Sequence, residues 1–128
     1  MHENKISFLI RKAIFEVYNK LGPGLFETVY VAALMHELQQ NGLVVVKEKA
    51  LPAVYDSITL EPAFRIDLLV KNKVIVEVKS IENLMEVHHK QLLTYLKLSG
   101  MKLGILVNFN SANITQSIFR KVNGLKSA

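Results

Sequence analysis

At 128 residues, half of them apolar, the chain is long enough to bury one core and too short to divide into two, so a single domain over residues 1–128 is expected. It contains no cysteine, which excludes disulfides, thiolate zinc sites and cysteine nucleophiles and leaves any chemistry to carboxylates, histidine, lysine, hydroxyls and amides. The formal net charge of +5 is uneven: all eleven acidic residues lie at or before Glu86, while Lys90, Lys97, Lys102, Arg120, Lys121 and Lys126 follow with no acid among them, a bias that suits a polyanion such as nucleic acid and equally a surface tuned for solubility.

In chain order, Ile6, Leu9, Ile10, Ala13, Ile14, Val17 and Tyr18 recur at helical steps and predict an amphipathic helix from Ile6 to Leu21, stopped by Gly22-Pro23-Gly24. Lys5, Arg11, Lys12 and Glu16 interrupt its apolar stripe, so it is neither a signal peptide nor a membrane span; no other stretch could cross a bilayer, and the cytoplasm is the expected compartment. A second helix is predicted from Leu25 to Gln40, with Val29, Tyr30, Ala33, Leu34 and Leu38 on its buried side and Gly42 as a left-handed C-cap. Leu43 to Tyr55 reads as one long or bent strand and Asp56-Ser57 as a turn, while Pro62 is expected to limit how far the next strand reaches backward.

The segment Phe64 to Ser80 holds two alternating runs joined by Lys71-Asn72-Lys73, a predicted β-hairpin. Pairing Val70 with Val74 puts Asp67 opposite Glu77 and Arg65 opposite Lys79. One face then carries Phe64, Ile66, Leu68, Val70, Val74, Val76 and Val78, and the other carries Arg65, Asp67, Leu69, Ile75, Glu77 and Lys79. A third helix is predicted from Met85 to Leu98, with Leu92, Leu93, Tyr95 and Leu96 inward and Gly100 ending it. Lys102 to Phe109 reads as a strand buried on both faces, parallel to the previous one through a right-handed crossover, and Ile114 to Val122 as either an edge strand or a short helix.

Two carboxylates facing each other across a hairpin repel, so a stable fold must pair them, protonate one, or place a cation between them. Lys79 is one source of positive charge and a hard divalent ion, Mg²⁺ or Mn²⁺, is another. Such an ion with a nearby ammonium suits phosphodiester hydrolysis. The same pattern is also that of an outward-facing strand or an ion-pair network.

The order of elements, with Asp67 and Glu77-Val78-Lys79 on adjacent strands, resembles the PD-(D/E)XK superfamily of metal-dependent nucleases. Gly24-Leu25-Phe26-Glu27-Thr28-Val29-Tyr30 matches the pattern that names the GxxExxY proteins of that superfamily, and the resemblance runs from about Ile6 to Gly124. It implies an α/β fold: a mixed sheet flanked by helices, built as helices, a three-strand meander, a helix and a strand. It implies that Asp67, Glu77 and the Val78 carbonyl hold Mg²⁺ or Mn²⁺, that Glu27 completes or supports that site, and that Lys79 is the motif lysine. Gln91 and Tyr95 match the glutamine and tyrosine that RecB-like members place on the following helix. Positions four apart share a helix face, and His88 lies one turn earlier on that side; His88, Lys90 and Tyr30 are further candidates for contact with substrate.

Taken singly, each residue has an ordinary structural reading. Tyr30 and Tyr95 read first as core aromatics, Gln91 as a surface residue, Glu27 as a first-turn acid favoured by the helix dipole, and Gly24 as part of a helix break. His88 and His89 diverge by about 100° on a helix and cannot both bind one metal, which disfavours zinc. Two functions follow. One is a metal-dependent nuclease acting on DNA or RNA. The other is a catalytically silent nuclease-fold module that binds nucleic acid or a protein partner. A chain this small fits either, alone, as a homodimer or in a larger assembly.

Overall fold

The computed structural model describes residues 1–127. Helices α1 (Glu3–Leu21) and α2 (Glu27–Gln40) precede strands β1 (Val45–Tyr55), β2 (Ile58–Val70) and β3 (Val74–Lys79). Helix α3 (Glu86–Ser99), β4 (Leu103–Asn108), a 3₁₀ turn (Ile114–Ser117) and β5 (Ile118–Val122) follow. The strands form one mixed sheet in the order β1-β2-β3-β4-β5, antiparallel throughout except for the parallel pair β3–β4. This is the expected α/β architecture, a mixed sheet flanked by helices, with two helices, a three-strand meander, a helix and a strand in that order. No helix among the described residues is long and apolar enough to cross a membrane.

Local chemistry explains the boundaries. Helix α1 begins three residues before its apolar period, because the His2 imidazole Nδ1 accepts the Asn4 N–H and caps it. Helix α2 begins at Glu27 rather than Leu25, since the Leu25 N–H is taken by the Tyr30 hydroxyl. It ends where Gly42, at φ 78°, donates to Gln39 O and Leu43 donates to Leu38 O, the paired bonds of a glycine-terminated helix. Val29, expected inward, is 40% exposed, and Val31 takes the buried position instead. The 114–122 segment is both of the expected alternatives in succession, a 3₁₀ turn and then an edge strand on β4.

Helices α1 and α2 cover one face of the sheet, over Leu68, Val70, Val74, Val76, Val78, Ile105 and Val107. Helix α3 covers the other, where Leu92 and Leu96 pack on Ile66, Leu69, Ile75 and Leu106. With both faces covered, β3 and β4 are buried along their length, which accounts for their nearly unbroken apolar sequences. Burying each such Val, Leu or Ile contributes roughly 1.5–3 kcal/mol.

The hairpin register is the expected one, Val70↔Val74, Leu69↔Ile75 and Leu68↔Val76, with residues 71–73 as the turn. The facing of the residues before Leu68 is not. Phe64 and Ile66 lie with Leu69 under α3 instead of with Leu68 and Val70 under α2. The ladder between β1 and β2 skips one position between Lys47↔Leu68 and Lys49↔Ile66, where Glu48 takes φ 53° and stands across from Asp67. A non-glycine residue in this left-handed region is uncommon, and it marks where the ribbon turns over and exchanges its two faces. Pro62 does not shorten β2, which runs from Ile58. Instead the register shifts between Leu51↔Phe64 and Ala53↔Leu60, so the residue lacking an N–H lies in an irregularity outside the ladder.

Candidate active site at the end of the central strands

The turned-over point of β2 is where the chemistry gathers. Beyond Leu68↔Val76 the backbones of β2 and β3 no longer pair, and side chains replace the ladder. The Asp67 N–H donates to Glu77 Oε2 at 2.9 Å, and the Val78 N–H donates to Asp67 Oδ2 at 2.7 Å. Each carboxylate thus accepts a backbone amide from the strand carrying the other. Each keeps its second oxygen free of any hydrogen bond among the described residues. Asp67 is half-buried, and Glu77 is 4% exposed.

Burial and then the adjacent Asp67 charge push the Glu77 carboxyl up to about 8. The Lys79 ammonium opposes this only weakly. Lys79, one of the two expected sources of compensating charge, forms no ion pair among the described residues, where the contacts are Lys20 with Glu16 and Glu37, and Lys90 with Glu86. The cluster is therefore a buried acid pair with two unused oxygens and too little positive charge beside it. Those features fit a hard divalent cation, which takes carboxylate, carbonyl and water oxygens. They fit a softer, nitrogen-bound metal poorly.

Glu27 stands across a cavity of about 200 Å³ that it lines together with Thr28, Val31, Lys47, Glu48 and Asp67. It does not join Asp67 and Glu77 around one point: among the described residues no three histidine or acidic side chains are gathered as a metal site. Its Oε2 instead accepts the Ser80 N–H at 3.4 Å, while the Ser80 hydroxyl donates to Leu25 O at 2.5 Å. The loop before α2 is thereby tied to the residue that follows Lys79.

Tyr30 forms the other half of that tie. Its hydroxyl donates to Gly22 O at 2.6 Å and accepts the Leu25 N–H at 3.1 Å, and its ring stacks on Phe109 with centroids 4.4 Å apart. The Phe109 N–H in turn donates to Lys79 O at 2.9 Å. Tyr30 is wholly buried with its hydroxyl satisfied, so the expectation that it touches substrate is corrected: it braces the loop that leads into Glu27 at the start of α2.

Helix α3 brings up Tyr95, half-buried and stacked on Phe64 at 4.4 Å. Burial, then Glu77 and Asp67, raise its hydroxyl above the usual tyrosine range, which places it within the field of the acid pair. Gln91 is exposed one turn earlier. Two further expectations change. His88 Nδ1 accepts the Met85 N–H at 2.9 Å and caps α3, so that nitrogen is not free for substrate. Lys90 is exposed and pairs with Glu86 at 3.5 Å rather than with either acid of the pair.

Lys47 and Ser80 escape a reading of the sequence alone. Lys47 had a signal, as part of a charged triplet breaking an apolar strand; Ser80 had only its place after the motif lysine. A family model described as the PD-(D/E)XK nuclease superfamily matches residues 4–121. No curated protein and no solved structure shows significant similarity to the chain.

Proposed function

The chain belongs to the PD-(D/E)XK nuclease superfamily, and we propose that it is a divalent-metal-dependent nuclease, of the GxxExxY type, hydrolysing phosphodiester bonds in DNA or RNA. One observation carries the reading: Asp67 and Glu77 each accept a backbone amide from the strand carrying the other, and each keeps one oxygen without a hydrogen bond among the described residues. In this reading those oxygens and the Val78 carbonyl hold Mg²⁺ or Mn²⁺, and Glu27 supports the site from across the shared cavity. A cation held there supplies Lewis-acid stabilisation of charge developing on the phosphate.

The protein's own groups do the rest. Lys79, half-buried and without an ion pair among the described residues, orients the attacking water or neutralises the phosphate. Tyr95 keeps its proton at neutral pH, because burial and then the acids Glu77 and Asp67 raise its hydroxyl above the usual tyrosine range, so it serves as a hydrogen-bonding hydroxyl or a packing surface and not as a base. Gln91, exposed on the same helix face, meets substrate. The unit is one domain acting in the cytoplasm, as a monomer or a homodimer.

The test is incubation of the purified chain with single- and double-stranded DNA and RNA, with Mg²⁺, Mn²⁺ or EDTA. Cleavage is expected with metal, none with EDTA, and a loss of about 100-fold or more in Lys79→Ala, the scale of removing one charge-stabilising group. Since Lys79 makes no ion pair among the described residues, that variant is expected to stay folded. Absence of metal-dependent cleavage from every substrate would favour the silent binding module instead.

A further inference from the structure

A second feature stands at the same end of the sheet. The segments following β3, β4 and the start of the 3₁₀ turn line an open cleft of about 330 Å³, bordered by Glu82, Asn83, Asn108, Asn110, Ser117 and Phe119, among others. Its size is that of a small-molecule site. Asn108 is buried and spends its amide on Ile81, accepting the Ile81 N–H at 3.1 Å and donating to Ile81 O at 2.9 Å, so it builds the wall. The side-chain amides of Asn83 and Asn110 make no hydrogen bond among the described residues. They therefore present free donors and acceptors to the cleft. Phe119 supplies a half-buried aromatic ring, met edge-on by His89 and approached by Lys121 Nζ at 5.8 Å from its centroid.

Location ties the cleft to the acid pair. Asn108 is the register partner of Lys79 on the parallel neighbour strand, so its wall begins one strand spacing, about 4.8 Å, from the lysine. Free amides read base edges, an aromatic ring stacks on base faces, and Glu82 at the rim accepts from exocyclic amines. The lysine beside the ring gives the basic last third of the sequence a local task. A base can lay its edge on the amides and its face on the ring of this open cleft only when it is neither paired nor stacked in a duplex.

We infer that this cleft receives an unpaired nucleobase next to the phosphodiester held at Asp67, Glu77 and Lys79, so that the substrate is single-stranded nucleic acid or an unpaired end. The inference rests on the nuclease reading, whose substrate it narrows.

The experiment is fluorescence anisotropy of the full chain in EDTA. The probes are a labelled twelve-nucleotide single strand, as DNA and as RNA, its blunt duplex, and the same strand made abasic throughout. The single strand is expected to bind at least about 10-fold tighter than the duplex or the abasic strand. Asn110→Ala and Phe119→Leu are each expected to weaken it about 5- to 10-fold, the low end of a lost stacking or edge contact. Their salt dependence should stay that of the wild type, because neither residue contacts phosphate.

Equal affinity for single strand, duplex and abasic strand would overturn the inference, as would no binding at all. So would folded variants that bind like the wild type. Metal-dependent cleavage is scored separately. Base-dependent binding without cleavage would sink the nuclease reading and leave the cleft, whereas cleavage indifferent to base and to both variants would do the reverse.

Discussion

Replacing Glu77 by glutamine isolates the electrostatic cost of the acid pair. Burial and Asp67 push the Glu77 carboxyl from 4.5 to about 8. Its folded-state pKa is raised, so the folded chain binds a proton more tightly than the unfolded chain, and stability falls as pH rises from about 4.5 through 8. The linkage amounts to roughly 2–3 kcal/mol lost between pH 5 and 7 and about 1 kcal/mol more between pH 7 and 9. Glutamine keeps the oxygen that accepts the Asp67 N–H and replaces the ionisable oxygen by an amide that can face Asp67. In EDTA, Glu77→Gln should match the wild type near pH 5 and exceed it by about 2–4 kcal/mol at pH 9.

Urea denaturation of both proteins at pH 5, 7 and 9 measures this. Burial lowers the pKa of His89, so its own contribution is lost as pH falls through the histidine range. That contribution is common to both proteins and cancels in their difference. A difference that stays constant with pH, or a glutamine variant less stable at pH 9, would refute the reasoning.

Two other substitutions test the parts that hold the site. Tyr30→Phe keeps the stack on Phe109 but strands Gly22 O and the Leu25 N–H; it should cost about 1–2 kcal/mol by thermal or urea melting, and no measurable loss would mean the hydroxyl braces nothing. Gly104→Ala would put a methyl 2.8 Å from Leu92 Cδ1, in a wholly buried contact between β4 and α3. Overpacking there should cost about 1–3 kcal/mol by the same measurement, whereas unchanged stability would show that α3 is free to shift.

The elements that carry strong periodicity are legible in the sequence. The 71–73 reversal fixes the Val70↔Val74 register, and the apolar runs of β3 and β4 announce strands covered on both faces. The turn-over at Glu48 and Asp67 is not legible, because no glycine marks the left-handed residue and the alternation of β2 reads smoothly across it. Once Glu48 adopts φ 53°, Phe64 and Ile66 change faces without any change in their pattern.

The same limit applies to the site. Asp67 and Glu77 are visible as facing acids, but their exchange of backbone amides in place of a ladder bond is a tertiary fact. A tyrosine three residues after Glu27 is compatible with a cleft or a core; the stack on Phe109, far along the chain, decides for the core. His88 and Lys90 look available on a helical wheel until the start of α3 takes one as its cap and Glu86 takes the other.

The most direct measurement is calorimetric titration of Mn²⁺ into the metal-free chain at pH 7, alongside Asp67→Asn. The wild type should bind one ion with release of a proton, since Glu77 must ionise to coordinate it, and Asp67→Asn should lose that binding while melting no lower than the wild type. Binding left intact by Asp67→Asn, or a wild type that takes up no Mn²⁺, would contradict a cation site at the crossed carboxylates.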